Sequence, residues 1–148
     1  MLRDTSYGIM ITGLEAAFIA QLLKFIGHIF LKKKIDFQVL ATTGGMPSAH
    51  TAGVVSLSTL VGLICGFESV EFAIAIGYAF VVMYDAAGLR RSTGKIAACL
   101  NKIRDDFYEN KQMPTDRLKE LLGHTPLEVF VGALLGIFIA FVNYFYIF

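Results

Sequence analysis

Four apolar stretches separated by polar connections constrain this chain more than any other feature. They cover about 9–31, 48–66, 71–87 and 126–147, and they approach the ~20 residues a helix needs to cross the hydrocarbon core of a bilayer. With 55% hydrophobic residues and a mean hydropathy of +0.62, the chain is well apolar of an ordinary soluble domain. The expectation is an all-α integral membrane helical bundle, a single membrane domain over residues 1–148. The first residues include Arg3 and Asp4, and no small-residue cleavage site follows the first apolar stretch. That stretch therefore reads as a permanent span, not a removed signal peptide.

The spans differ in character. The first carries Glu15, Gln21, Lys24 and His28, which is too polar for a lone lipid-facing helix. Lys24 and His28 are four apart and share a face, so this face packs inward or lines a wet cavity, with Lys24 near enough to an end to snorkel. His28 alone reads as structural. In the second span Gly62 and Gly66 form a G-x-x-x-G pair, and Gly132 and Gly136 repeat that spacing in the last. Such pairs let helix backbones approach closely, within the chain or as faces for a homo-oligomer. Over about 95–108, Ile96, Leu100, Ile103 and Phe107 recur at helical spacing among Lys95, Lys102, Arg104, Asp105 and Asp106. This predicts one amphipathic helix beside the four spans, lying on the membrane surface or covering a site.

Four spans alternate sides, so the connections 32–50 and 85–124 share one. They hold eleven of the thirteen cations: Lys32, Lys33, Lys34, Arg90, Arg91, Lys95, Lys102, Arg104, Lys111, Arg117 and Lys119. By the positive-inside rule that side is cytoplasmic and both termini are outside, as in a multi-pass protein of the cell (inner) membrane. A net charge of +1 gives no case for a nucleic-acid partner. Cys65 and Cys99 make neither a disulfide framework nor a zinc pattern. Asp85, Asp105 and Asp106 lie beside arginines without metal-ligand spacing. Neither metal nor cofactor is expected.

Three stretches on the cation-rich side carry chemistry. In TTGGMPSAHT, Gly44 and Gly45 can adopt φ > 0 and turn their N–H groups inward. Pro47 and Ser48 suit a helix start, whose free N–H groups attract phosphate, and His50 falls in the first turn. In YDAAGLRRSTGK, Arg90, Arg91 and Lys95 cluster where a span ends, and guanidinium groups suit phosphate oxygens. In GHTPLE, Thr125 and Glu128 form a capping-box pattern with Pro126 at the first helical position. Alternatively Glu128, four residues after His124, accepts the proton of one ring nitrogen and leaves the other free to attack. One carboxylate would be shared between these roles. Two histidines at helix N-termini with cations between them suit phosphoryl transfer: one attacks phosphorus, the other protonates the leaving oxygen, and the cations hold the remaining oxygens.

GGMPSAHT, YDAAGLRRSTGK and LLGHTPLEVFVGALLG together resemble the small divergent branch of the type 2 phosphatidic acid phosphatase superfamily, membrane lipid phosphatases related to vanadium haloperoxidases. The resemblance covers roughly residues 8 to 142. The superfamily's P-S-G/A-H motif is matched by Pro47-Ser48-Ala49-His50, which implies His50 as general acid. Its R-x5-H-x3-D motif is matched by His124-Thr125-Pro126-Leu127-Glu128, which implies His124 as the nucleophile that forms a phosphohistidine, oriented by Glu128. This chain departs from the pattern in three ways. No K-x6-R-P motif precedes residue 47, the third motif's arginine position falls on Leu118 with Arg117 one place off, and four spans are fewer than the usual six-helix core. Arg90, Arg91 and Lys95 stand as replacement cations. The resemblance implies a metal-independent phosphatase acting on a lipid phosphomonoester or pyrophosphate at the cytoplasmic face. Its catalytic residues are His124, His50 and Glu128, and Arg90, Arg91, Lys95, Gly44, Gly45, Ser48 and Arg117 bind phosphate. The alternative is a non-enzymatic binder or carrier of an anionic lipid or phosphate on the same fold.

Overall fold

The computed structural model describes residues 5–33, 44–108 and 123–147. Among these the chain forms five helices and no strand: α1 (Thr5–Lys32), α2 (Ala49–Cys65), α3 (Val70–Ala87), α4 (Leu89–Tyr108) and α5 (Pro126–Ile147). The first residues of α2 and α3 follow serines in extended backbone. The Ser48 side chain accepts from the Thr51 N–H and that of Ser69 from the Phe72 N–H, filling donors that a helix start leaves open. Between α3 and α4 the chain turns at Gly88 alone, whose N–H bonds the Tyr84 carbonyl at 2.8 Å. The amphipathic helix thus begins at Leu89, six residues before the expected start at 95. Arg90, Arg91 and Lys95 therefore lie on α4 itself and not in a connection.

The bundle is built with its large apolar side chains outward. Phe18, Phe30, Ile74, Phe80, Phe138 and Phe145 are all exposed, while Ala16, Ala20, Ala52, Ala79 and Ala140 are fully buried. A water-soluble domain would hide the large residues. In lipid there is no hydrophobic drive between helices, so small residues that let backbones touch take the interior. Three segments are long and apolar enough to cross a membrane: Ser6–Phe30 in α1, Val70–Asp105 across α3 and α4, and Pro126–Tyr146 in α5. The fourth expected span, α2, is apolar but only 17 residues long, about 25 Å of helix.

Short as it is, α2 is the centre, packing against α1, α3 and α5. It meets α1 where a Cβ on Gly13 would come 3.3 Å from the Gly53 carbonyl, and one on Gly53 3.1 Å from that of Gly13. The approach of α5 is closer still. A Cβ at Gly132 would lie 2.6 Å from the Ser48 carbonyl oxygen, and one at Gly136 2.5 Å from that of Ala52. The Gly132/Gly136 face is therefore occupied by α2 within the chain. The Gly62/Gly66 pair works differently from its expected use as a helix-contact face. The rings of Phe67 and Phe72 cover Gly62, and Gly66 caps α2 at φ +93.

Polar bonds hold the two ends of this packing. At one end the Asn143 amide of α5 donates to Thr12 Oγ1 at 3.0 Å and to Glu15 Oε2 at 2.6 Å on α1. At the other, the Ser48 N–H bonds the Glu128 carbonyl at 3.1 Å, and the His124 N–H bonds the Ala86 carbonyl at 2.9 Å. The start of α2, the end of α3 and the start of α5 are thereby gathered at one end of the bundle.

Gly136→Ala is expected to destabilise the folded protein by about 1–3 kcal/mol, since the new methyl must push α5 off the α2 backbone. Gly77→Ala, with nothing within 4 Å of the added Cβ, is expected to leave stability unchanged or slightly raised. Thermal unfolding of the two variants in detergent checks the contrast.

Candidate functional site

At the gathered end, one histidine is sunk beneath the surface. His124 lies two residues before α5 and its side chain is 2% exposed. Gly123, at φ +91, turns the chain into this position, and the bond from the His124 N–H to Ala86 anchors it to the last turn of α3. From the first turn of α5, Glu128 reaches back so that its Oε2 lies 3.0 Å from His124 Nδ1. The same oxygen accepts from the Thr125 N–H at 3.2 Å, and Thr125 Oγ1 accepts from the Glu128 N–H at 3.3 Å. The capping box and the histidine contact are thus both made, through one shared carboxylate oxygen. With Nδ1–H given to Glu128, the neutral ring carries its lone pair on Nε2. That nitrogen is buried and has no hydrogen-bond partner among the described residues.

Lys24 supplies the positive charge. It is 6% exposed, and its aliphatic stem lies over Gly45, whose missing Cβ would meet Lys24 Cδ at 3.3 Å. Gly45 sits at φ +97, a conformation that suits glycine and lets the stem pass. The Lys24 charge acts on both Glu128 and His124. Burial pushes the His124 imidazole below its ordinary value, and the Lys24 charge adds to this. The Glu128 hydrogen bond and charge raise it, and so does the Gly45 backbone, which lies close enough to the ring to favour its protonated form without closing a hydrogen bond of good geometry on Nε2. The net effect is a lowered value, which favours the neutral ring.

The expected site residues divide into those gathered here and those placed around it. His124, Glu128, Gly45 and Ser48 come together, Ser48 by its backbone bond to Glu128 and its cap on α2. Gly44 is half-buried at the head of the same loop. His50 is in the first turn of α2 but exposed, so the two imidazoles occupy different environments. Arg90 and Arg91 lie in the first turn of α4, one turn beyond Ala86, and Lys95 is exposed further along that helix. Arg117 lies outside the described residues. Lys24 was absent from the expected set, although its signal was present: a lysine inside an apolar span is costly unless it has a role or a partner. Among the described residues no three His, Cys, Asp or Glu side chains cluster in a way that could hold a metal ion.

Residues 5–139 match the family described as Divergent PAP2. The chain belongs to that family. Among curated proteins it is similar to an uncharacterized membrane protein of Bacillus subtilis (strain 168), YuiD, with 40% identity over 144 residues, covering 90% of this chain and 91% of the relative. No solved structure matches it. Membership agrees with the resemblance carried by GGMPSAHT, YDAAGLRRSTGK and LLGHTPLEVFVGALLG, and the relative's description agrees with the membrane bundle. As a Divergent PAP2 protein, the chain is related to a phosphatase superfamily.

The signs of the charges around His124 give an expected titration order that NMR of labelled histidine can read. Wild-type His124 should titrate below about 6.5. Lys24→Met should raise its midpoint, because a positive neighbour is lost, and Glu128→Gln should lower it, because the acceptor's charge is lost.

Proposed function

We propose that this Divergent PAP2 protein is a membrane phosphatase that hydrolyses a lipid phosphomonoester or pyrophosphate through a phosphohistidine intermediate. The observation that carries the reading is the state of His124: Nδ1 held by Glu128, Nε2 buried without a partner, and a positive charge beside it. An Nε2 left open behind a carboxylate-held Nδ1 is the arrangement that a nucleophilic imidazole needs.

In this reading the Nε2 lone pair attacks phosphorus and the bond to the leaving oxygen breaks. His50, from the exposed side, gives that oxygen its proton. A water then attacks the phosphohistidine, passing its proton to His50, and the P–N bond breaks to release phosphate. Glu128 holds the tautomer that exposes the lone pair and stabilises the ring as it becomes positive. Lys24, with the Gly44 and Gly45 amides, holds the phosphate oxygens within the bundle. Ser48 positions the loop, and Arg90, Arg91, Lys95 and Arg117 offer charge from the surrounding segments. The reaction uses no metal or cofactor. A non-enzymatic carrier of a lipid phosphate would need the same cations but no basic His124.

The test is phosphate release by the purified protein in mixed micelles from a panel of lipid phosphates, with chelator present. Release is expected from the wild type and its loss from His124→Ala. Glu128→Gln should be slowed by about a hundredfold. Activity should fall on acidification through the lowered His124 value, because protonation removes the Nε2 lone pair. Lipid phosphate binding that persists without turnover in a folded protein would select the carrier.

We place the site at the cytoplasmic face of the cell membrane with both termini outside, from the eleven cations that the sequence gives to the connections 32–50 and 85–124. A chain whose single thiol is Cys65 is expected to react with an impermeant maleimide on intact cells. One whose single thiol comes from Lys102→Cys should react only after lysis. The reverse pattern would invert the topology.

A further inference from the structure

The apolar stripe of α4 has no role in the chemistry above. Ile96, Leu100 and Ile103 are 60%, 49% and 47% exposed, and at 100° per residue they fall within about 60° of one another. Gly94, Ala97 and Asn101 on another side of the helix are buried, so the apolar stripe points away from the side that packs. From the stripe's centre Lys95 and Lys102 lie roughly 110–130° to one side, beyond Asp106 at about 90°, and Arg104, paired with Asp105 at 2.9 Å, lies roughly 70° to the other. Over its length α4 carries Arg90, Arg91, Lys95, Lys102 and Arg104 against Asp105 and Asp106. Only Gly88 separates it from the end of α3, at the end of the bundle where His124 sits.

We propose that α4 lies in the plane of the membrane, its Ile96–Leu100–Ile103 stripe set among the acyl chains and its cations on the headgroups of anionic lipids. A helix leaving a membrane-crossing segment at a single-residue turn starts at the interface. A narrow apolar stripe on a helix with five cations against two carboxylates fits an anionic leaflet: stems follow the acyl boundary and the excess positive charge rises to phosphates. A second copy of the chain fits less well. Two α4 helices paired antiparallel through the stripe about a two-fold axis near residue 99 would set Lys95 against Lys102 of the other copy. The helix then gathers anionic lipids at the mouth of the His124 site. The proposal does not depend on turnover there.

Single cysteines placed at Leu100 and at Lys102, in a chain lacking Cys65 and Cys99, carry an environment-sensitive fluorophore. The labelled protein is reconstituted in vesicles of zwitterionic lipid with or without anionic lipid. The label at 100 is expected to be quenched by brominated acyl chains and spared by aqueous iodide, and the label at 102 to show the opposite. Anionic lipid should deepen the lipid quenching at 100. Replacing Lys102 and Arg104 with Gln in the chain labelled at 100 should remove that deepening, each charge lost lowering the docked population ratio by about fivefold. A label at 100 shielded from both quenchers would mean that protein covers the stripe, and would overturn the proposal. So would equal iodide quenching at both positions. Docking indifferent to anionic lipid and to the Gln substitutions would overturn the headgroup assignment. Phosphate release measured on the Gln variant in detergent separates this outcome from failure of the catalytic reading, since detergent removes the leaflet and leaves the His124 site.

Discussion

The contact on which the rest depends is the backbone approach of α5 to α2 at Gly132 and Gly136, with no room for a Cβ on either glycine. Lipid rewards no burial of apolar side chains between helices, so association rests on close packing and polar bonds. Glycine at one-turn spacing brings peptide groups together. One turn before Gly132 the same stripe presents the Glu128 carbonyl to the Ser48 N–H. That bond ties the glycine loop to α5, and it fixes where Glu128 stands when its side chain turns back to His124. The catalytic geometry proposed here is thus a continuation of helix packing.

Lys24, Glu128 and His124 form the electrostatic unit set on this scaffold. A lysine buried within an apolar helix costs several kcal/mol unless an opposite charge or a ligand answers it. Glu128 gives part of that answer, and its bonds to His124 and Thr125 use one oxygen.

Helix placement was readable from apolar length and from Ser48 as a helix start, whereas the turn at Gly88 that begins α4 six residues early was not. The capping box at Thr125 and Glu128 and the contact of Glu128 with His124 were both readable from spacing alone, because both are local within one turn of helix. The exposure of His50 was not, since the side on which an N-terminal residue of α2 faces depends on how α2 is rotated among three neighbours. The Gly62/Gly66 pair shows the same limit. It has the spacing of Gly132/Gly136, yet aromatic rings fill the space at Gly62, and a spacing does not state what will occupy it.

By itself the sequence determined a membrane bundle of apolar helices, the family to which it belongs, and the local unit of His124 and Glu128. These follow from hydropathy and from contacts three or four residues apart, which a helix enforces wherever it lies. Only the tertiary structure decided that Lys24 joins that unit, that Gly45 makes room for its stem, and that Nε2 is left buried without a partner. Those facts join groups from α1, the glycine loop and α5, separated by 20 to 100 residues. Their meeting is set by how closely α2 lets its neighbours approach, a matter of side-chain volume at the crossings that periodicity does not carry.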